Sequence, residues 1–198
     1  MISPGETLTN RVTGETLIFH RTAAQTDGES VLVETVVHRD GFVAAAHVHP
    51  AQTEQFAILD GLVELRIGKK THLTRPGDVA VVPPGTPHRF RNVGDGDARF
   101  MCEIRPALQF ESLIETMFAL ANEGKTNAQG LPNPFRLAVI AEAHFDTVRL
   151  PFPPELVQRA ALVAGAPLGR LLGYGSTRPH AKPSRTLDRG RPHEQRSA

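Results

Sequence analysis

Three histidines and one carboxylate carry the chemistry that this chain can be expected to do. They stand in two blocks of fixed spacing: Gly41, His47, His49, Glu54 and Gly61 in the first, and Gly77, Pro83, Gly85, His88 and Asn92 in the second. In an extended strand, residues two apart share a face, so His47 and His49 are expected to project side by side into one interior. Ala44, Ala45 and Ala46 leave room beside them. Glu54 is expected at the start of the following strand. His88 is expected on a strand brought close by the turn Pro83-Pro84-Gly85-Thr86-Pro87. Three imidazoles and a carboxylate suit one divalent transition metal, Fe, Mn, Ni, Cu, Co or Zn, and not Ca or Mg, which take all-oxygen shells. Four protein ligands leave one or two positions open on an ion that prefers five or six, and open positions make a site reactive.

Position for position, the two blocks and the spacer between them (62–76) resemble the paired motifs of the cupin superfamily, in its single-domain microbial form. The resemblance covers residues 30 to 106. It implies a double-stranded β-helix, the jelly-roll barrel, with His47, His49, Glu54 and His88 as metal ligands and Glu54 as a ligand able to detach and act as the catalytic base. It leaves the reaction open, since cupins include oxygenases, isomerases, decarboxylases, storage proteins and sensors. The four-ligand set departs from the sugar epimerase branch, and Glu54 departs from the cysteine dioxygenase branch. Three readings stay open: an oxygenase-like metalloenzyme acting on an oxygen-bearing small organic molecule, an isomerase or lyase, and a barrel that binds or senses a ligand without turning it over.

The surrounding elements must be short. Between Thr7 and Pro106 the sequence is a series of apolar or alternating runs, at 31–39, 42–48, 55–59, 62–67, 79–82, 88–93 and 98–104, broken by Gly, Pro and Asp. Breaks at that spacing predict a mainly β barrel or sandwich. Asp60-Gly61 and Gly68-Lys69-Lys70 suit tight hairpins, and Arg75-Pro76-Gly77-Asp78 suits a turn. After Pro106 the period becomes helical. Leu113, Ile114, Met117, Phe118 and Ala121 recur at helical spacing over 110–124. Asn133-Pro134 reads as an N-cap and first-turn proline for 135–145. Pro154 opens 155–165, with Gly165 and Pro167 expected to interrupt the helix there. The expected organisation is a barrel with N-terminal strands at 1–106, a C-terminal helical appendage at 107–175 that closes the barrel mouth or builds a dimer interface, and a disordered basic tail at 176–198. That tail is rich in Pro, Arg and Ser and too poor in apolar residues to offset its ordering entropy.

At 198 residues the chain has room for one barrel but not two. Its net charge is +1, unevenly placed: 1–177 hold 16 basic against 19 acidic residues, and 178–198 hold 6 against 2. That is not the broad basic surface of a nucleic-acid binder, so no nucleic-acid partner is expected. A single cysteine, Cys102, excludes an internal disulfide framework. MISPGETLTN has no charged region followed by an apolar core, and no apolar run is long enough to span a membrane. The expectation is a cytoplasmic protein that pairs as a homodimer through open barrel edges.

Other residues are weaker candidates. Phe42, Phe56, Phe90, Phe100 and Met101 are either pocket lining or core filler. Cys102 is either cavity-facing or a buried inert thiol. Glu34 and Glu103 could be general bases if their strands turn them inward. His20, His38, His72 and His144 lack partners at ligand spacing and read as surface or packing residues. The apolar residues of 155–174 read as packing against the barrel or a second subunit, with a membrane surface as the alternative.

Overall fold

The computed structural model describes residues 2–179. Nine strands and three helices succeed one another along the chain: β1 (Thr7–Asn10), β2 (Glu15–Arg21), β3 (Val31–Val37), β4 (Thr53–Asp60), β5 (Val63–Ile67), β6 (Lys70–Thr74), β7 (Val79–Val82), β8 (His88–Asn92), β9 (Ala98–Arg105), α1 (Phe110–Asn122), α2 (Pro134–Ala143) and α3 (Glu155–Leu171). The strands form a six-stranded sheet, ordered β1-β2-β3-β9-β4-β7, and a three-stranded sheet, β6-β5-β8. Every pairing is antiparallel. This is the expected jelly-roll barrel with its helices on the C-terminal side.

Alternation builds the interior. On β3, Val31, Val33, Thr35 and Val37 are buried, and β9 faces them with Ala98, Phe100, Cys102 and Ile104. The two sheets meet through three rings: Phe56 of β4, Phe90 of β8 and Phe100 of β9 have centroids 5.2 to 6.2 Å apart in inclined arrangements. Such a cluster combines area burial with favourable edge-to-face geometry. The same alternation turns Glu34 and Glu103 outward. Glu34 bonds His20 and Arg99, and Glu103 bonds Arg21 and Arg105, so neither reaches the interior.

Three local expectations are corrected. The run 42–48 is not a regular strand; it touches the sheet through single bridges, Phe42 to Arg91 and His47 to His88. Asp60-Gly61 is not a hairpin but the crossing from one sheet to the other, since β4 pairs with β7 and β9 while β5 pairs with β6 and β8. A side chain at Gly61 would meet the Ala98 and Asp97 backbone at 2.7 Å, at a φ of +77° that already favours glycine. Third, α3 runs unbroken through Gly165 and Pro167 to Leu171. Gly169 lies against α2 so closely that an added Cβ would come within 2.4 Å of the Phe135 carbonyl. This packing outweighs the poor helix propensity of its glycines and proline.

The helices are tied to the barrel. Val48 and Arg149 exchange main-chain hydrogen bonds at 2.8 and 2.9 Å, Asn122 donates to Thr9 O, and Gln52 donates to Pro106 and Ala107 carbonyls. Leu113 and Leu120 of α1 pack with Ile140 of α2, flanked by Met117 and Val148. The stretch expected as a tail lies outside the described residues beyond 179. Within them, Arg178 bonds Thr116 and Glu123 of the α1 region.

Candidate metal centre

His47, His49, Glu54 and His88 converge. One ligand atom from each can be chosen so that all four lie within 4.8 Å of one another. Glu54 opens the inward face of β4 in register with Ile104 and Val82. His88 opens β8, and its backbone exchanges hydrogen bonds with that of His47 at 2.9 and 3.0 Å. His47 reaches the site despite the irregular 42–48 segment, because this single bridge fixes it. The proline-rich turn is held in place by Gly85, whose N–H donates to His49 O at 2.8 Å.

Each imidazole is oriented by its other nitrogen. The Nδ1 atoms of His47, His49 and His88 donate to the carbonyls of Ala45, Thr147 and Thr86 at 2.9, 2.6 and 3.0 Å. With Nδ1 committed as donor, Nε2 is the atom free to ligate, the arrangement found around metal-bound histidines. His49 Nε2 is buried with no hydrogen-bond partner among the described residues. An orphaned imidazole nitrogen of this kind costs free energy unless something occupies the site. The donor set therefore fits a divalent transition metal.

The electrostatics describe the same site without its ion. Burial, reinforced by His88 and His49, lowers His47 to about 3, so its ring is neutral. Burial alone would raise Glu54, but the His88 hydrogen bond at 2.7 Å and the surrounding histidine charges hold its carboxyl well below the usual range. Burial likewise works against a charged His88, and Glu54 with the Thr86 carbonyl overrides it, raising His88 above its ordinary value. His88 Nε2 and Glu54 Oε2 lie 2.7 Å apart and favour opposite charges.

The site opens onto a cavity of about 430 Å³, within the range of small-molecule pockets. The barrel contributes Phe56, Phe90, Phe100 and Cys102, and the helices contribute Leu113, Met117, Phe118, Leu137, Ile140 and Leu162. Of the residues expected as lining, Phe42 and Met101 are not on this wall. Cys102 faces the cavity and its thiol donates to Glu54 Oε1 at 3.1 Å. Burial, with the Glu54 charge, pushes that thiol well above its ordinary value, so it is a hydrogen-bond donor and not a nucleophile. His144 is buried and bonded to Ile140 O and Ser112, a packing role as expected.

The one ionisable side chain of β2 on the cavity wall, Glu15, escaped the sequence reading, as did Asn10 and Thr35 beside it. Glu15 lies on the inward face of β2, in phase with buried Leu17 and Phe19, and lines the cavity with a side chain 6% exposed. The signal was the alternation of ETLIFHR, in which Glu15 shares the face of Leu17 and Phe19.

Part of the chain matches known proteins. Residues 33–103 match the family model of the cupin domain. "Polyketide synthase CurC" of Streptomyces cyaneus is 29% identical over 104 residues, covering 52% of this chain and 68% of that protein. "Protein SchB" of Streptomyces halstedii is 31% identical over 90 residues, covering 46% and 63%. The chain thus spans about two thirds of the length of these curated relatives. Among solved structures, KdgF from Halomonas sp. aligns with a TM-score of 0.45 at 16% identity, covering 53% of this chain and 90% of that one. A predicted oxalate decarboxylase from Thermotoga maritima aligns with a TM-score of 0.47 at 19% identity, covering 54% and 99%.

Proposed function

Taking residues 33–103 as a cupin domain, and so the chain as a member of the cupin superfamily, we propose that it is a metal-dependent enzyme acting on a bulky, largely apolar organic molecule that carries oxygen donors. The observation that carries this reading is the buried Nε2 of His49, which has no hydrogen bond and lies 3.7 Å from Glu54 Oε2, beside two further imidazoles whose Nδ1 atoms are likewise committed to carbonyls. His47, His49, Glu54 and His88 would hold the ion. A divalent transition metal there supplies Lewis acidity and, where redox-active, electron transfer to dioxygen.

The chain's own residues supply the rest. The three histidines would offer Nε2 as the ligating atom, each ring oriented through its Nδ1. The Phe56, Phe90 and Phe100 rings and the α1 and α2 side chains exclude water from an oxygen atom delivered to the site. Its neighbours hold the Glu54 carboxyl well below the usual range and so make it a weak base; it would accept a proton only from a substrate hydroxyl strongly acidified by the ion, and Cys102 donates to its second oxygen. The name of the Streptomyces cyaneus relative, a polyketide synthase protein, agrees with a bulky oxygenated substrate. An oxygenase and an isomerase or lyase both fit this site, and oxygen uptake separates them.

Elemental analysis of untagged protein, wild type beside His49→Ala, tests the reading. Near-stoichiometric transition metal that is lost in the variant supports it and directs oxygen-uptake screening. Metal-free or unchanged protein shifts the assignment to a barrel that binds its ligand without turnover. A homodimer is proposed with it, supported by the exposed apolar residues Leu156, Val163 and Leu171 of α3. Light scattering on a chain shortened after Pro106 tests that pairing, and an unchanged oligomeric state would remove it.

A further inference from the structure

The cavity has a second polar end. Glu15, Asn10 and Thr35 lie on its wall, each at least nine-tenths buried. Glu15 pairs with Val37 and Val37 with Ala98, whereas Glu54 pairs with Ile104 and Ile104 with Val31. The two carboxylates therefore belong to rows six residues apart along β3, about 20 Å at the strand rise. Glu15 is too far to touch an atom held by the histidines, yet both ends line one continuous cavity, with Leu17, Val33, Phe100 and Phe118 between them.

Glu15 is also only half used by the protein. Thr13 Oγ1 donates to its Oε2 at 2.7 Å, and Asn10 Oδ1 is spent on the backbone N–H groups of Val12 and Thr13. Oε1 has no partner among the described residues, and no basic side chain there neutralises the group. Glu15 lines the largely apolar cavity, so its free oxygen is available to a hydroxyl or carbonyl of a molecule held there.

We infer that Glu15 is a specificity-determining residue, the distal anchor of the substrate cavity, selecting an elongated apolar molecule that bears a hydroxyl or carbonyl oxygen remote from the group presented to the histidines. This rests on the reading that the cavity takes a small organic substrate. Burial raises the Glu15 carboxyl to about 7 against the Thr13 hydrogen bond, so near neutral pH the anchor can either accept from a hydroxyl or donate to a carbonyl. Residues 1–32 lie before the matched cupin segment, so the anchor is a feature of the preceding strands and not of the metal motif.

The test compares 2-naphthol with naphthalene as probes, monitored by probe fluorescence, on the full chain as purified and again after chelation. The chain has no tryptophan and one tyrosine, so its background is low. Wild type is expected to bind 2-naphthol roughly tenfold more tightly than naphthalene, the size of one satisfied buried hydrogen bond. Glu15→Leu should bring the ratio close to one, Glu15→Gln should keep most of it, and both should retain the metal content of wild type. A wild-type ratio near one, or a ratio that survives Glu15→Leu, overturns the assignment, and the wild-type comparison stands even if the leucine variant fails to fold. Because the chelated protein is tested too, loss of the metal reading would leave this result intact, and failure here would leave the metal reading intact.

Discussion

His49 Nδ1 donates to the main-chain oxygen of Thr147 at 2.6 Å, across 98 residues of sequence. A proposed metal ligand of the barrel is thereby aimed by the turn after α2. That turn is held by the packing of Ile140 with Leu113 and Leu120. Ile140→Ala, which touches no ligand, should cost about 2 to 5 kcal/mol of stability and weaken metal affinity by roughly tenfold through the misaligned imidazole. Competitive metal titration reads the second effect, and an unchanged affinity would uncouple the helices from the site.

His49→Ala and His88→Ala should each remove nearly all bound metal. Glu54→Gln should weaken binding less and abolish turnover more, because the amide still offers an oxygen but cannot accept a proton. Stoichiometric metal in all three variants would show that the ligands lie elsewhere.

Acid should strip the ion. Protonated imidazole cannot ligate, and His88 is raised above its ordinary value by Glu54 in the metal-free site. Metal affinity should therefore climb with pH until His88 is mostly neutral, and fall steeply on acidification below that region. Metal retention measured between about pH 5 and 8 would reveal this slope, and a flat profile would contradict it.

Glu15 gives a pH dependence of opposite sign. Its carboxyl is raised in the folded chain to about 7 from 4.5, so between those values the unfolded chain has lost a proton that the folded chain still carries. Stability from this group is full below the unfolded value and declines as pH rises, by on the order of 3 kcal/mol, levelling off above about 7. Urea unfolding of chelated protein should show the decline, and Glu15→Gln should flatten it and be the more stable protein at alkaline pH. Parallel curves for the two proteins would mean that Glu15 is solvated.

What could be read from the sequence was what depends on spacing. The motif positions of His47, His49, Glu54 and His88 come together whether or not 42–48 is a regular strand, because one bridge to His88 is enough to place His47. For strands without a motif, alternation groups residues by face but does not say which face turns inward. Glu34 and Glu15 both sit in alternating runs, and only pairing with neighbouring strands turns the first to solvent and the second inward. The continuation of α3 through Gly165 and Pro167 was hidden for another reason, since contact with α2 favours small residues there that local propensity counts against the helix.

The cavity wall is divided between two parts of the chain. The barrel holds the four ligand residues, and α1, α2 and α3 supply much of the surface opposite them. The helical share of the selectivity is therefore separable by engineering: grafting foreign helices onto this barrel would alter the molecules admitted while keeping the proposed metal centre and the Glu15 end, provided that the graft returns a backbone carbonyl to the position of Thr147.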